Sequence, residues 1–298
     1  MFRIRVPATS ANIGAGFDCL GMALSLYNVV EVEPSEKLRV EIHGEGEGSI
    51  PENGSNLVYK AYRRTMERMG LVPGNLSICQ FNQIPSTRGL GSSSTAVVAG
   101  ILAAEAIAGK TLPKEEKLLI ATQIEGHPDN VAPALYGGFV AAVGGTHDAR
   151  CLSFPIPQGL TPVAMVPDYE LATSKARAAL PKEVPFKDAV FNVARASYLT
   201  AAMAQGDIDG IFSVLEDRLH QPYRAPLIEG FVQIMAMCVE LGCPGYLSGA
   251  GPTLMALCRE QDVARFTAYI DPCLSQYGNW QVIALSPDND GATVERCE

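Results

Sequence analysis

The run from Pro85 to Thr95 contains the residue types that bind a phosphate group through backbone N–H groups. It reads Pro-Ser-Thr-Arg-Gly-Leu-Gly-Ser-Ser-Ser-Thr and leads into an Ala-rich, apolar segment at 96–108 that is predicted to be a helix. Gly89 and Gly91 allow a tight turn and a close approach of the backbone to a ligand. The unpaired N–H groups at the start of the helix then favour an anion. A simple helix N-terminus without a ligand would use the same residue types.

Two further segments surround polar residues with glycines. The segment at 7–18 contains Asn12 and Asp18 among small residues and precedes a predicted strand. A loop that lines a ligand and an ordinary turn both explain this mixture, because Asn and Asp are common turn residues. The segment at 245–253, Gly-Tyr-Leu-Ser-Gly-Ala-Gly-Pro-Thr, is either a bare hairpin or a second loop that closes over phosphates.

The segment at 125–138 places four polar side chains between apolar helices. Glu125 is a candidate Mg²⁺ ligand, because Mg²⁺ is usually bound by one or two carboxylates together with phosphate oxygens and waters. His127 is either a residue that contacts a ligand or a purely structural histidine. The side chain of Asp129 is predicted to point away from that of its neighbour Asn130.

The elements that must position these residues alternate between strands and helices. Strands are predicted at 2–6, 23–33, 38–43, 76–82, 244–249, 253–258 and 280–285. Helices are predicted at 55–70, 96–108, 114–125, 174–180, 187–204, 207–219, 226–241 and 260–276. Ser55 is the candidate N-cap of the first helix. Three prolines and a glycine indicate a domain boundary near 155–165, and the order of the elements predicts an α+β fold.

Size and composition limit the function classes. A chain of 298 residues fits about two domains. The net charge of −9 argues against nucleic acid or an anionic membrane as a partner. The eight cysteines form no Cys-x-x-Cys pair and no zinc-binding pattern, so free thiols in a reducing compartment are expected. Neither a signal peptide nor an apolar run long enough to span a membrane is expected, and the chain is predicted to be cytoplasmic.

Together, these segments resemble the GHMP small-molecule kinase superfamily, which includes galactokinase, homoserine kinase, mevalonate kinase and phosphomevalonate kinase. The run from Pro85 to Ala96 is similar to its phosphate-binding signature, Pro-x-x-x-Gly-Leu-Gly-Ser-Ser, and the segments at 7–18 and 245–253 resemble its first and third motifs. The resemblance implies an ATP-binding N-terminal domain at 1–158 that is similar to domain 2 of ribosomal protein S5. It also implies a ferredoxin-like C-terminal domain at 159–298.

Within the superfamily, the details resemble the homoserine kinase branch. The segments Thr9-Ser-Ala-Asn-Ile-Gly-Ala-Gly-Phe-Asp18 and His127-x-Asp-Asn-Val-Ala-Pro-Ala are typical of that branch. The resemblance implies an enzyme that uses ATP and Mg²⁺ to phosphorylate the side-chain hydroxyl of L-homoserine. The product would be O-phospho-L-homoserine, an intermediate of threonine biosynthesis. A homodimer is also expected.

The resemblance implies roles for individual positions. The implied nucleotide-binding residues are Asn56, Pro85, Ser86, Thr87, Arg88, Gly89, Leu90, Gly91, Ser92, Ser93, Ser94 and Thr95. Ser93 and Glu125 are the implied Mg²⁺ ligands. The implied homoserine pocket consists of Asn12, Asp18, His127, Asn130, Arg177, Arg224 and Gly249. The residues expected to take part in catalysis are Ser93, Glu125, Asn130 and Arg177.

The chemistry of homoserine agrees with the implied pocket. Homoserine is a zwitterion, so its carboxylate needs a guanidinium fork and its ammonium group needs a carboxylate. Arg177 and Arg224 suit the first requirement, and Asp18 suits the second. In the absence of the resemblance, each arginine would be interpreted as a solvated surface charge.

The position of Asn130 departs from several members of the superfamily, which have an aspartate base there. An amide does not accept a proton at neutral pH, so the resemblance implies direct in-line attack by the hydroxyl group without a strong base. A loose phosphoryl-transfer transition state requires little deprotonation of the nucleophile. Two alternatives stay open: a mevalonate- or sugar-type kinase on the same fold, and a catalytically inactive module that binds a metabolite or nucleotide.

Overall fold

The computed structural model describes residues 1–145 and 147–297. These residues form two β-sheets that are covered by helices, which confirms the predicted α+β class. No helix in the described ranges is both long and apolar enough to cross a membrane.

The first sheet has seven strands within the described residues. They are β1 (Phe2–Ala11), β2 (Leu20–Ser35), β3 (Arg39–Gly44), β4 (Asn75–Asn82), β5 (Phe139–Gly144), β6 (Ala149–Phe154) and β11 (Thr293–Arg296). Five of them lie in the order β11, β1, β2, β4, β3, while β5 pairs with the first residues of β2 and β6 pairs with β5. The pairing of β3 with β4 is parallel. Ile4 and Val6 are buried and Arg3 and Arg5 are exposed, which is the alternation expected of a strand with one covered face.

Four helices pack against this sheet. They are α1 (Leu57–Arg68), α2 (Ser92–Ala108), α3 (Lys114–Glu125) and α4 (Pro128–Tyr136). The apolar side chains of α2 lie in the core that α1 and the sheet also form. The small residues of α2 allow α1 to approach closely, since a Cβ atom added at Gly100 would lie 2.3 Å from the carbonyl oxygen of Val58. The close contact holds α2 in place, and the first turn of α2 is the predicted phosphate site.

The second sheet has four antiparallel strands in the described residues, in the order β10, β7, β9, β8. The strands are β7 (Leu160–Pro167), β8 (Gly245–Leu247), β9 (Leu254–Arg259) and β10 (Trp280–Ala284). Its half of the chain contains the helices α5 (Thr173–Ala178), α6 (Phe186–Gln205), α7 (Ile208–Phe212), α8 (Gln221–Arg224), α9 (Phe231–Glu240) and α10 (Val263–Leu274).

A shared apolar core joins the two halves. Met22 and Leu24 of β2 lie in one buried cluster with Met255 of β9, Tyr246 of β8 and Leu199 of α6. Removing such apolar surface from water favours the association of the halves by roughly 25 cal/mol per Å². The relative position of the loops at the junction is therefore fixed by packing on both sides.

The two sheets divide the chain between Phe154 and Leu160, but the final strand β11 returns to pair with β1. We propose the domain division at residues 158 and 159, with β11 contributed by the second domain to the first sheet. The return of the chain adds a second link between the halves.

Two local predictions are wrong. The side chain that caps α1 belongs to Asn56 rather than Ser55, because Oδ1 of Asn56 accepts hydrogen bonds from the N–H groups of Val58 at 3.0 Å and Tyr59 at 3.4 Å. The helix predicted at 207–219 ends at Phe212 in α7, and turns and bends follow it as far as α8.

The contact between α1 and α2 predicts a stability difference between two glycine variants. Gly100→Ala would place its Cβ atom 2.3 Å from a backbone oxygen and 2.6 Å from Cβ of Ala61. We expect a loss of ~2 kcal/mol in the free energy of unfolding, because overpacking outweighs the higher helix propensity of alanine. At Gly54 a Cβ atom would meet nothing within 4 Å. Gly54→Ala should therefore change stability by less than ~0.5 kcal/mol, and equal urea-unfolding curves for the two variants would contradict the analysis.

Candidate active site

A cavity of about 470 Å³ opens where loops of both halves of the chain meet. Most of the predicted site residues lie on its wall. They are Asn12, Asp18, Asn56, Ser86, Thr87, Gly89, Gly91, Ser92, Ser93, Ser94, Thr95, Glu125, His127, Asn130, Arg177, Arg224 and Gly249. Residues far apart in the sequence are thus brought together around one space.

Three predicted nucleotide-binding residues lie outside this wall, as far as the structure describes it: Pro85, Arg88 and Leu90. Pro85 and Leu90 are buried. The guanidinium group of Arg88 donates hydrogen bonds to the carbonyl oxygens of Pro167 at 3.0 Å, Ser86 at 3.0 Å and Asp168 at 2.7 Å. Arg88 therefore ties the glycine-rich turn to the end of β7.

The glycine-rich turn requires its glycines for close contacts. Gly89 and Gly91 both have positive φ angles, of 83° and 72°. A Cβ atom at Gly89 would lie 2.5 Å from the carbonyl oxygen of Ser248, and one at Gly91 would lie 2.0 Å from Oγ1 of Thr9. No L side chain fits at either position, so the backbone of the turn itself forms the wall.

The turn ends at the N-terminus of α2, for which Gly91 is the N-cap. Among the described residues, no side chain caps this helix. The first N–H groups of α2 therefore lie at the cavity without a side-chain acceptor. The positive end of the helix dipole lies at the same place. Such a helix start is suited to binding a phosphate group.

Ser93 and Glu125 are in direct contact beside this helix start. Oε2 of Glu125 accepts hydrogen bonds from Oγ of Ser93 at 3.0 Å and from Oγ of Ser94 at 3.1 Å. Ligands at about 2.1 Å on adjacent corners of an octahedron around Mg²⁺ are about 3.0 Å apart. The oxygen pair of Ser93 and Glu125 therefore fits a magnesium site.

Groups of opposite charge lie in another part of the wall. Nη2 of Arg177 is 2.8 Å from Oδ1 of Asp18, and Nη1 is 3.1 Å from Oδ2. Both side chains remain about one-third exposed. Asn12 fixes the loop that carries Asp18, because its Oδ1 accepts from the N–H of Asp18 at 2.9 Å and its Nδ2 donates to the carbonyl of Gly249 at 2.8 Å.

His127 is held by Asp129. Nδ1 of His127 contacts the carboxylate of Asp129, which is buried. Burial lowers the pKa of His127, but the hydrogen bond and the charge of Asp129 outweigh it, and the pKa is raised overall. Oxygen atoms of Asp18 and Asp129 and a ring nitrogen of His127 lie within 4.8 Å of one another.

Arg224 is almost fully buried, with 2% of its surface exposed. Nη1 donates to the carbonyl of Gly249 at 2.9 Å and Nε donates to that of Ala176 at 3.3 Å. Burial and the charge of Arg177 lower its pKa. A buried guanidinium group on a cavity wall is a strong recognition element for an anion, because its solvation by water has already been lost.

Asn130 lies next to the glycine-rich turn. Its Oδ1 accepts a hydrogen bond of 2.8 Å from the hydroxyl group of Thr9, which leaves the amide donor Nδ2 for another partner. Asn56 lies elsewhere on the wall and is used in capping α1, while its Nδ2 donates to the carbonyl of Pro51 at 3.0 Å. Both amides are thus oriented by protein contacts.

Sequence reasoning did not assign roles to Phe17, Asp217 and His220. The ring of Phe17 stacks on His220 with centroids 5.1 Å apart, and it lies 5.2 Å from Cζ of Arg224. Phe17 belongs to the segment that resembles the first superfamily motif. Asp217 lies in the helix predicted at 207–219, and His220 directly follows it. Their closeness to Arg224 in the sequence was the available signal.

Two family models match this chain. The model described as GHMP kinases N terminal domain matches residues 56–138, and the one described as GHMP kinases C terminal matches residues 199–271. The first range includes the glycine-rich turn, Glu125 and Asn130.

Curated relatives match along almost the whole chain. A homoserine kinase of Caldicellulosiruptor bescii is 42% identical over 99% of this chain and 97% of the relative. A homoserine kinase of Moorella thermoacetica is 42% identical over 98% of this chain and 99% of the relative.

Solved structures agree with these relatives. The crystal structure of homoserine kinase from Cytophaga hutchinsonii matches with a TM-score of 0.89 and 27% identity, over 99% of this chain and 97% of that one. A putative homoserine kinase from Listeria monocytogenes matches with a TM-score of 0.82 and 32% identity over the full length of both chains. The two-domain fold, the two matching family models and the full-length identity together place this chain in the homoserine kinase family of the GHMP kinases.

Proposed function

We propose that this chain transfers the γ-phosphoryl group of ATP to the side-chain hydroxyl of L-homoserine. One observation carries the proposal: a single cavity contains both an uncapped helix start beside the Ser93–Glu125 pair and a set of opposite charges formed by Asp18, Arg177 and Arg224. The first part suits a polyphosphate with its metal ion, and the second suits a zwitterion. The name of the curated relatives agrees with this assignment.

The nucleotide would bind through the glycine-rich turn and the first N–H groups of α2. Ser93 and Glu125 would hold Mg²⁺, and the bound ion supplies positive charge beside the phosphate oxygens. Asn56 is proposed to lie near the nucleotide base, where Val30, Ile50 and Leu57 offer apolar contacts on the same wall. The overall acidic charge of the protein is thereby overcome by local backbone donors and the ion.

Homoserine would bind at the charged part of the wall. Arg224 and Arg177 are proposed to bind its carboxylate group, and Asp18 its ammonium group. His127, Asn12 and Gly249 complete this part of the wall. Asp18 distinguishes homoserine from mevalonate, because mevalonate has a carboxylate but no ammonium group.

The proposed transfer needs no strong base. Asn130 cannot take a proton, and the buried carboxylate of Asp129 is engaged with His127. Nδ2 of Asn130 is available to donate a hydrogen bond and so to orient the reacting oxygen atoms. Positioning and electrostatic stabilisation by the helix start and the metal ion would then account for most of the rate.

Three further expectations stay predictions. The cytoplasmic location is compatible with cysteines that are all free thiols in the described residues. The homodimer and the use of Mg²⁺, rather than another divalent cation, are predictions that chromatography and metal titration can test.

The substrate assignment is tested by ADP release with ATP and Mg²⁺ across L-homoserine, mevalonate, galactose and L-threonine. We expect the highest kcat/KM with L-homoserine, because only a zwitterion with a flexible primary hydroxyl group satisfies both charges of the wall. A higher kcat/KM with mevalonate or galactose would contradict the substrate. Absence of ADP release with every alcohol would favour an inactive binding module.

Glu125→Gln is expected to lower kcat by ~100-fold or more, the scale of one lost electrostatic stabiliser in a closed site. Oε2 of Glu125 contacts Ser93, so the isosteric change removes the charge but little volume. Glu116→Gln is the matched control, since Glu116 lies on the same helix and pairs with Arg68 at 2.9 Å outside the cavity. Equal kcat values for both variants over a Mg²⁺ titration would refute the metal-binding role.

Asp18→Asn is expected to raise the KM for homoserine by ~10-fold or more, because one charge-assisted hydrogen bond is lost. The KM for ATP should change by less than ~3-fold, because a partly exposed charge outside the proposed nucleotide site contributes less than about 1 kcal/mol there. Asp188→Asn is the control: Asp188 pairs with Arg218 at 3.1 Å, away from the cavity wall. A parallel rise of both KM values would argue against an ammonium contact.

A further inference from the structure

A buried chain of hydrogen bonds leads from Asn192 through Asp217 and His220 to Arg224. Nδ2 of Asn192 donates to Oδ1 of Asp217 at 2.6 Å. Oδ2 of Asp217 accepts from the N–H groups of His220 at 2.9 Å and of Gln221 at 2.7 Å, which fixes the start of α8. Nδ1 of His220 lies 3.4 Å from Nη1 of Arg224. Of the four residues in this chain, Arg224 alone lies on the described cavity wall.

The neighbours of His220 determine its tautomer. Nε2 lies 2.9 Å from the carbonyl oxygen of Gly14, and because a carbonyl only accepts, Nε2 must carry the proton. Nδ1 faces the guanidinium group of Arg224, and because guanidinium only donates, Nδ1 must present its lone pair. The imidazole is therefore neutral and protonated at Nε2. Burial lowers the pKa of His220, which agrees with the neutral form.

The position of the ring is fixed on all sides. His220 has no exposed surface, and it stacks on Phe17 with an interplanar angle of 21°. Arg224 shares Nη1 between His220 and the carbonyl of Gly249, while Nε is taken by Ala176. Among the described residues, Nη2 of Arg224 is left without a hydrogen-bond acceptor. The protein thus engages Nε and Nη1 of the guanidinium group and leaves Nη2 for a ligand.

We infer that His220 is a positioning residue: its Nδ1 lone pair holds Arg224 in the orientation that binds the carboxylate group of the substrate. This inference rests on the proposed function, because it takes the amino-acid substrate from there. A guanidinium group with a flexible side chain would have to be ordered at each binding event. A preorganised group avoids that entropic cost.

Two isosteric variants separate the contacts of the ring. In His220→Asn the side-chain amide reaches the place of Nδ1, so an oxygen can still accept from Arg224 while the contact with Gly14 is lost. In His220→Gln the amide reaches the place of Nε2, so the contact with Gly14 can be kept while the acceptor for Arg224 is lost. A purely structural histidine would be affected in the same way by both changes.

The experiment measures kcat and both KM values for the wild type and the two variants, together with thermal unfolding. We expect His220→Gln to raise the KM for homoserine by ~10-fold or more, and His220→Asn by less than ~3-fold, with the KM for ATP unchanged in both. Unchanged homoserine KM values, an equal rise in both variants, or a parallel rise for ATP would each overturn the inference. If the wild type does not phosphorylate homoserine, the proposed function fails instead.

A second measurement needs no variant. Nitrogen NMR of histidine-labelled wild type at neutral pH distinguishes the two neutral tautomers and the imidazolium form. The inference requires a neutral His220 with its proton on Nε2, assigned by the loss of that signal in any folded His220 variant or by through-space contacts with Phe17. A charged ring or a proton on Nδ1 would overturn it, even if both variants fail to fold.

Discussion

The candidate site depends on a close backbone contact between the glycine-rich turn and the loop after β8. Oγ of Ser248 donates to the carbonyl oxygen of Gly89 at 2.6 Å, and the missing side chain of Gly89 makes room for the carbonyl of Ser248. Ser10 joins the same contact, with its Oγ 2.8 Å from that of Ser248. Loops from both halves of the chain are thereby held at a fixed separation. The charged groups of the second half can then face the helix start of the first.

The proposed ligands depend on local structure rather than on the net charge of −9. Backbone N–H groups at the start of α2 attract an anion without a positively charged side chain. Positive side chains lie in the other part of the wall. There Arg177 is close enough to Arg224 for its charge to lower the pKa of Arg224. Two groups of donors of different construction thus lie on one cavity wall, which agrees with the proposal that two different anions bind there.

The sequence was sufficient to locate the loops of the site, because each one is a glycine-containing segment between clear strands or helices. It also led, through the family resemblance, to Ser93 and Glu125, which meet across 32 positions in sequence. The role of Arg88 could not be found in this way, since its contacts with Pro167 and Asp168 depend on how the two halves pack.

The segment after α7 shows a second limit of sequence reasoning. Its apolar residues continue the helical spacing, so a helix was expected as far as 219. Instead, Asp217 accepts hydrogen bonds from three backbone N–H groups, those of Leu219, His220 and Gln221. These bonds fix the start of α8 instead of continuing α7, and Asn192 stabilises the arrangement through its contact with Asp217. The strand β11 was not predicted, because four residues are too few to show a clear alternation of apolar and polar side chains.

In the proposed homoserine pocket, the ion pair between Asp18 and Arg177 would make substrate binding an exchange of partners. A ligand with a single charge can replace one member of the pair only by leaving the other in a partly buried place without its counter-charge. An amino acid with both charges offers a new partner to each residue at once, so the total number of charge contacts does not fall. In the proposed pocket, the Asp18–Arg177 pair would therefore place singly charged metabolites at an energetic disadvantage relative to a zwitterion.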